Sequence, residues 1–213
     1  WEGGSMVGDE TAAVSLDGRA RPETRRRILD AAIGVFAEKG YRRTAVEDIV
    51  RASDTSKGSF YHFFPGKEGI FVALVDQLGE LLLGRVAGDV ETAAEGLDRV
   101  GTALRAALDT FGSHRRLARI LLVEAPGLGH GIDERLFALH GRFARYIAGH
   151  LKAAVADGSI RPVDCELVAH AWIGAINEVV LRWLYTGRPE PLVSAVPELR
   201  SLFLRSVGAE DRG

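Results

Sequence analysis

With one cysteine, Cys165, among 213 residues, the chain can form no intrachain disulfide, which excludes the stapled small folds of oxidising compartments. Neither sign of charge dominates: 27 basic residues face 29 acidic ones, so any nucleic-acid affinity must come from a local field and not the net charge. Long apolar runs are also missing. The most hydrophobic stretch, 168–184, contains His170, Asn177, Glu178 and Arg182, each costly in lipid, and reads as a buried helix rather than a membrane span. Period-two alternation never persists and no fixed-period repeat is visible, which leaves an all-α fold. Catalytic signatures are equally scarce, with no phosphate-cradling glycine loop and no nucleophile-base constellation. His130, His140 and His150 stand ten residues apart, which matches no compact metal-ligand pattern. No catalytic residue, metal or cofactor is therefore expected.

Charge is present in blocks. Residues 1–18 hold four acids and no Lys or Arg, whereas 19–67 hold eleven basic residues against six acids. Three segments are expected on this basis. Residues 1–20 read as a tag remnant (WEGGS, ahead of Met6) and a disordered tail with no signal peptide, 21–66 as a basic helix-turn-helix module, and 67–208 as a larger helical domain.

Helical spacing sets out the basic module. Ile28, Ala32, Val35 and Phe36 fall on one face of a helix that Thr24 can cap and Gly40 ends. Thr44-Ala45-Val46-Glu47 reads as a capping box opening a second helix to about Ala52. The turn formers Ser53 to Ser56 then lead into a third short helix, TSKGSFYHFF, and Pro65-Gly66 breaks the chain before a long helix from Lys67.

Two short helices on a supporting one, with small and basic residues, suit the major groove of DNA. Gly58 and Ser59 would let the backbone approach base edges, and Phe60 and Phe63 would anchor the helix inward. Lys57 can reach a phosphate or guanine edge, Thr55 and Ser56 lie at the helix start, and Tyr61 and His62 can reach phosphates. Thr44 and Lys67 at helix starts, with Arg42 and Arg43, extend the contact surface.

These segments, TRRRILDAAIGVFAEKGYRRTAVEDIV, SKGSFYHFF and PGKEGIFVALV over 24–75, closely resemble the TetR family of bacterial regulators in order and spacing. The resemblance implies three DNA-binding helices followed by a variable helical domain that pairs two protomers and encloses an effector. It also exposes a departure, because the family usually has Gly-Val in the turn where this chain has Asp54-Thr55.

On that basis the chain is expected to act in the bacterial cytoplasm, at the nucleoid when bound, as a ligand-relieved repressor and homodimer on a near-palindromic operator of double-stranded DNA. The effector is expected to be small and largely apolar. Pocket candidates are Phe71, Val75, Leu108, Phe111, Glu124, His140, Phe143, Trp172, Ile176 and Asn177, and interface candidates are Leu181, Arg182, Leu199, Leu202 and Phe203. An activator or corepressor-dependent regulator shares these features. An all-α enzyme using Glu124 and a histidine, with a vestigial DNA module, is the rival from another class.

Overall fold

Helix is the only regular structure among the residues the computed structural model describes, which are 10–92 and 96–209, with side chains from 21 onward. The all-α expectation holds. The chain divides into two compact units, Trp1–Ile70 and Phe71–Gly213, so the boundary falls one turn beyond the expected Gly66.

The first unit contains α1 (Glu10–Lys39), α2 (Val46–Ala52), α3 (Lys57–Phe63) and the start of α4 (Lys67–Thr92). Helix α1 begins earlier than expected: the Ala-, Leu- and Arg-containing stretch before Pro22 is itself helical, which puts Thr24 mid-helix instead of at the start. The expected disordered tail is therefore corrected for residues 10–20, and residues 1–9 lie outside the described ones. Gly40 ends the helix as anticipated, with φ 77° and its N–H bonded to the Phe36 carbonyl at 2.8 Å.

The capping box is displaced by one residue. Thr44 is only 3% exposed and donates its hydroxyl to the Gly40 carbonyl at 2.8 Å, so it closes the turn and does not cap α2. Ala45 takes the cap position, and its N–H donates to the Asp48 carboxylate at 3.0 Å. Lys39 also donates to Asp48, at 2.8 Å, and with the Ala45 bond it holds that carboxyl below its usual range.

Ile28, Ala32 and Phe36 of α1, Ile49 of α2 and Phe60 of α3 are completely buried. The second anchor of α3 is Phe64 and not Phe63. Phe64 is 3% exposed, four residues after Phe60 and thus on the same side, with the Arg25 guanidinium 5.4 Å over its ring, while Phe63 is half-buried.

The second unit continues α4 and adds α5 (Asp98–Ser113), α6 (Arg115–Arg119) running into a π turn (Ile120–Glu124), α7 (His130–Ala156), α8 (Cys165–Thr186), a 3₁₀ turn (Leu192–Ala195) and α9 (Val196–Ser206). Asp164 caps α8 as expected, accepting from the N–H groups of Glu166 and Leu167 at 3.1 and 3.0 Å. The last helix starts as a 3₁₀ turn and becomes α-helical only at Val196. Helix α7 packs along α8 and α5 along α9, while Arg135 and Arg142 of α7 pair with Asp76 and Glu80 of α4 at 2.6 and 2.7 Å.

Candidate functional site

Helix α3 has one committed face and one open face. Ser56 caps it by accepting from the Ser59 N–H at 3.0 Å, and Phe60 fixes its underside. Lys57, Gly58, Tyr61 and His62 remain exposed, with Ser59 partly so. Tyr61 is 49% exposed, with its ring edge-on to Phe60 at 5.5 Å between centroids.

The basic residues are less free than their sequence suggests. Lys57 bonds Glu47 of α2 at 2.6 Å, and the pair holds the Glu47 carboxyl below its ordinary range and the Lys57 ammonium above its own. Lys67, expected as a phosphate contact, donates to the carbonyls of Tyr41 and Thr44 at 2.8 and 3.0 Å, with its ammonium 4.4 Å from the Tyr41 ring centroid. This lysine ties the start of α4 to the turn before α2. Arg43 donates to the Lys39 carbonyl at 2.8 Å, and Arg42 is exposed.

The turn between α2 and α3 is built by polar groups. Asp54 has φ 49°, the left-handed region that glycine occupies more easily. Arg27 of α1, which sequence reading missed, donates to the carbonyls of both Ser53 and Asp54 at 2.8 Å. Thr55 is half-buried and shares a 2.8 Å hydrogen bond with the Ser53 hydroxyl.

The second unit encloses a cavity of about 420 Å³, within the range of small-molecule sites, between α4, α5, α7, α8 and α9. Six of the ten expected residues line it: Phe111, His140, Phe143, Trp172, Ile176 and Asn177. Phe71, Val75 and Leu108 do not, being completely buried in the packed core. Glu124 is also off the wall, because the π turn presents Leu121 and Leu122 there instead.

Phe203, expected at a dimer interface, lines the cavity and stacks on Trp172 with centroids 4.6 Å apart. Leu199 is likewise buried inside the unit, at 6% exposure. Both expectations are corrected, since α9 turns that apolar side toward α5 and not outward. Leu202 is 51% exposed, Arg182 is exposed and Leu181 half-buried.

Two polar stations interrupt the apolar wall. At one, His140 and Asn177 approach to 3.4 Å, and burial, reinforced by His170, lowers the His140 pKa. At the other, Arg99 stands near Tyr146 and His150, none of which was anticipated. The available signal was register: Arg99 precedes Ala103 and Ala107 by one and two turns, and His150 follows Phe143 and Ile147 on one face of α7.

Residues 28–74 match the model of bacterial regulatory proteins of the tetR family. The HTH-type transcriptional repressor KstR2 of Rhodococcus jostii is 30% identical over 169 residues, covering 76% of this chain and 80% of the relative. The chain belongs to the TetR family.

Within the TetR family, the fatty acid metabolism regulator protein of Bacillus subtilis is 21% identical over 181 residues, 84% of this chain and 93% of its own. The solved structure of FadR from Bacillus subtilis in complex with stearoyl-CoA shares the fold, with a TM-score of 0.77 at 21% identity over 87% of this chain and 98% of that one. The protein is thus a DNA-binding transcriptional regulator with a TetR-type N-terminal module. No helix among the described residues is long and apolar enough to cross a membrane.

Proposed function

We propose that this regulator is a repressor that binds a near-palindromic operator as a homodimer in the bacterial cytoplasm and is released when a small, largely apolar effector fills the second unit. The observation that carries the DNA half is the open face of α3, where Lys57, Ser59, Tyr61 and His62 stand over a fully buried Phe60. A short helix pinned from beneath suits the major groove, with Ser59 beside base edges and Lys57, Tyr61 and Arg42 toward phosphates. The cavity supplies the switch: an effector that binds one arrangement better than the other shifts the population toward it. An acyl compound fits this wall, and the regulator solved with stearoyl-CoA supports that class.

Pairing would use the outer face of α8 and α9. Leu167, Tyr185 and Leu202 are 67, 66 and 51% exposed, an apolar surface that a second copy would cover, with Arg182 at its rim. A two-fold dimer would set recognition helices about 34–36 Å apart, one turn of DNA.

The test is operator affinity across a salt series, on a duplex selected from random sequence. Lys57→Gln should weaken binding and lower the slope of log affinity against log salt by about 0.9, the loss of one phosphate contact. Glu47→Gln should do the opposite, since it releases Lys57 from its 2.6 Å partner. Unchanged affinity in both variants refutes this assignment of α3.

A further inference from the structure

Arg99 is the unusual residue of the cavity wall. Its Nε is buried and has no hydrogen-bond partner among the described residues. Leaving a donor of a charged group unsatisfied is costly, and native structures keep such groups mainly where a ligand or water completes them.

Arg99 lies in the first turn of α5 and shares the cavity wall with Tyr146 and His150 of the second half of α7, whose two rings meet edge-on at 4.8 Å. The Arg99 charge acts on both side chains. Partial burial and the Glu91 carboxylate raise the Tyr146 pKa, so the phenol keeps its proton and donates, while partial desolvation of its otherwise exposed ring and the nearby guanidinium lower that of His150. Guanidinium N–H, phenol O–H and an imidazole N–H thus gather here, and among the described residues the nearby carboxylates, Glu91 beside Tyr146 and Asp157 on the wall, are exposed to water and leave Arg99 Nε unpartnered.

This station also lies at an end. His150 is ten residues beyond His140, roughly 15 Å along α7, and Gly96, His150 and Asp157 on this part of the wall are exposed. Between the two stations the wall is Phe143, Ile147, Ala103, Leu104 and Ala107. The cavity therefore has an apolar length and a mouth at which Arg99 supplies a guanidinium with a buried, unpartnered Nε.

We propose that the effector is an amphiphile carrying one anionic oxygen head, a carboxylate or a phosphate ester, that Arg99 binds with Tyr146 and His150 at this mouth while its apolar chain lies along α5 and α7. This rests on the apolar-effector reading above and specifies the head group. The head replaces the missing partner of Nε with a charge-assisted hydrogen bond, and the three donors discriminate against cationic ligands.

Calorimetric titration of the full chain with dodecanoate, dodecyl phosphate and dodecanol tests this. Wild type should bind one or both anions about tenfold to a hundredfold more tightly than the alcohol, the range of a hydrogen bond to a charged group. Which anion gains more identifies the head. Arg99→Gln should erase the preference while leaving alcohol binding in place, and Arg99→Lys should restore part of it. If the alcohol binds wild type as tightly as both anions, or Arg99→Gln keeps the preference, the head-group assignment is overturned and the apolar reading stands. If no probe binds, both fall.

Discussion

The two units of this chain put similar side chains to opposite uses. In the first, Phe36, Phe60 and Phe64 are at most 3% exposed, and cations are already held by acceptors of the chain: Lys67 on two carbonyls, Arg27 on two more, Lys57 on Glu47 at the surface. In the second, Phe143, Tyr146 and Trp172 face a void of about 420 Å³, and both Arg99 Nε and Gln77 Oε1 are buried without a partner among the described residues. A surface that reads base edges must hold its geometry before DNA arrives, whereas a pocket must leave volume and hydrogen bonds for its ligand to complete.

The largest expected effect tests that contrast directly. Phe60→Ala empties a filled core position and should cost about 3–5 kcal/mol, enough to unfold the first unit and abolish operator binding. Phe143→Ala enlarges a space that already exists and should cost about 1–2 kcal/mol. Thermal denaturation with hydrogen exchange resolved by unit measures both. Equal costs would mean that Phe143 stands in a packed core, and the contrast between the units would fail.

A smaller effect is expected at the turn between α2 and α3, where rigidity comes from Arg27 in place of apolar burial. Arg27→Met removes two hydrogen bonds to backbone carbonyls and should destabilise the first unit by about 1–2 kcal/mol, with a matching fall in operator affinity. Asp54→Gly should act in reverse, because glycine adopts φ 49° without the side-chain penalty. Its gain should reach about 1 kcal/mol at most, since glycine also loosens the unfolded chain. A stabilising Arg27→Met would show that the turn holds without the clamp.

The same contrast explains what was legible in the sequence. Local rules build the first unit, so Gly40, the Pro65-Gly66 break and the α3 residues could be read from a short window. What escaped there depended on tertiary contacts: Arg27 reaches across 26 residues, and Thr44 serves Gly40 instead of α2 because it is buried. In the second unit the helical stripes were visible, but periodicity gives a helix's apolar face without saying whether that face meets a neighbour or a void. Leu108 and Phe111 share a stripe, yet only Phe111 reaches the cavity. Arg99 and His150 escaped because a charge within an apolar stripe reads locally as an exposed exception.

The smallest expected effect is a difference in acid response. His140 and His150 of the second unit both have pKa values below the ordinary 6.5, His140 through burial and the nearby His170, His150 through partial desolvation of an otherwise exposed ring and the nearby Arg99 charge. The unfolded chain then binds more protons than the folded one at mildly acidic pH, so stability rises with pH across that window. The contribution of these histidines is complete above 6.5 and is lost as pH falls through their lower folded values. Denaturant midpoints of the second unit should therefore drop between pH 7.5 and pH 5.5, and His140→Asn should flatten the drop while keeping a polar partner for Asn177. An anionic ligand at Arg99 should reduce the His150 share of this slope, because its charge favours the imidazolium. A pH slope identical in wild type and His140→Asn would show that His140 titrates no differently in the folded wall than in the open chain.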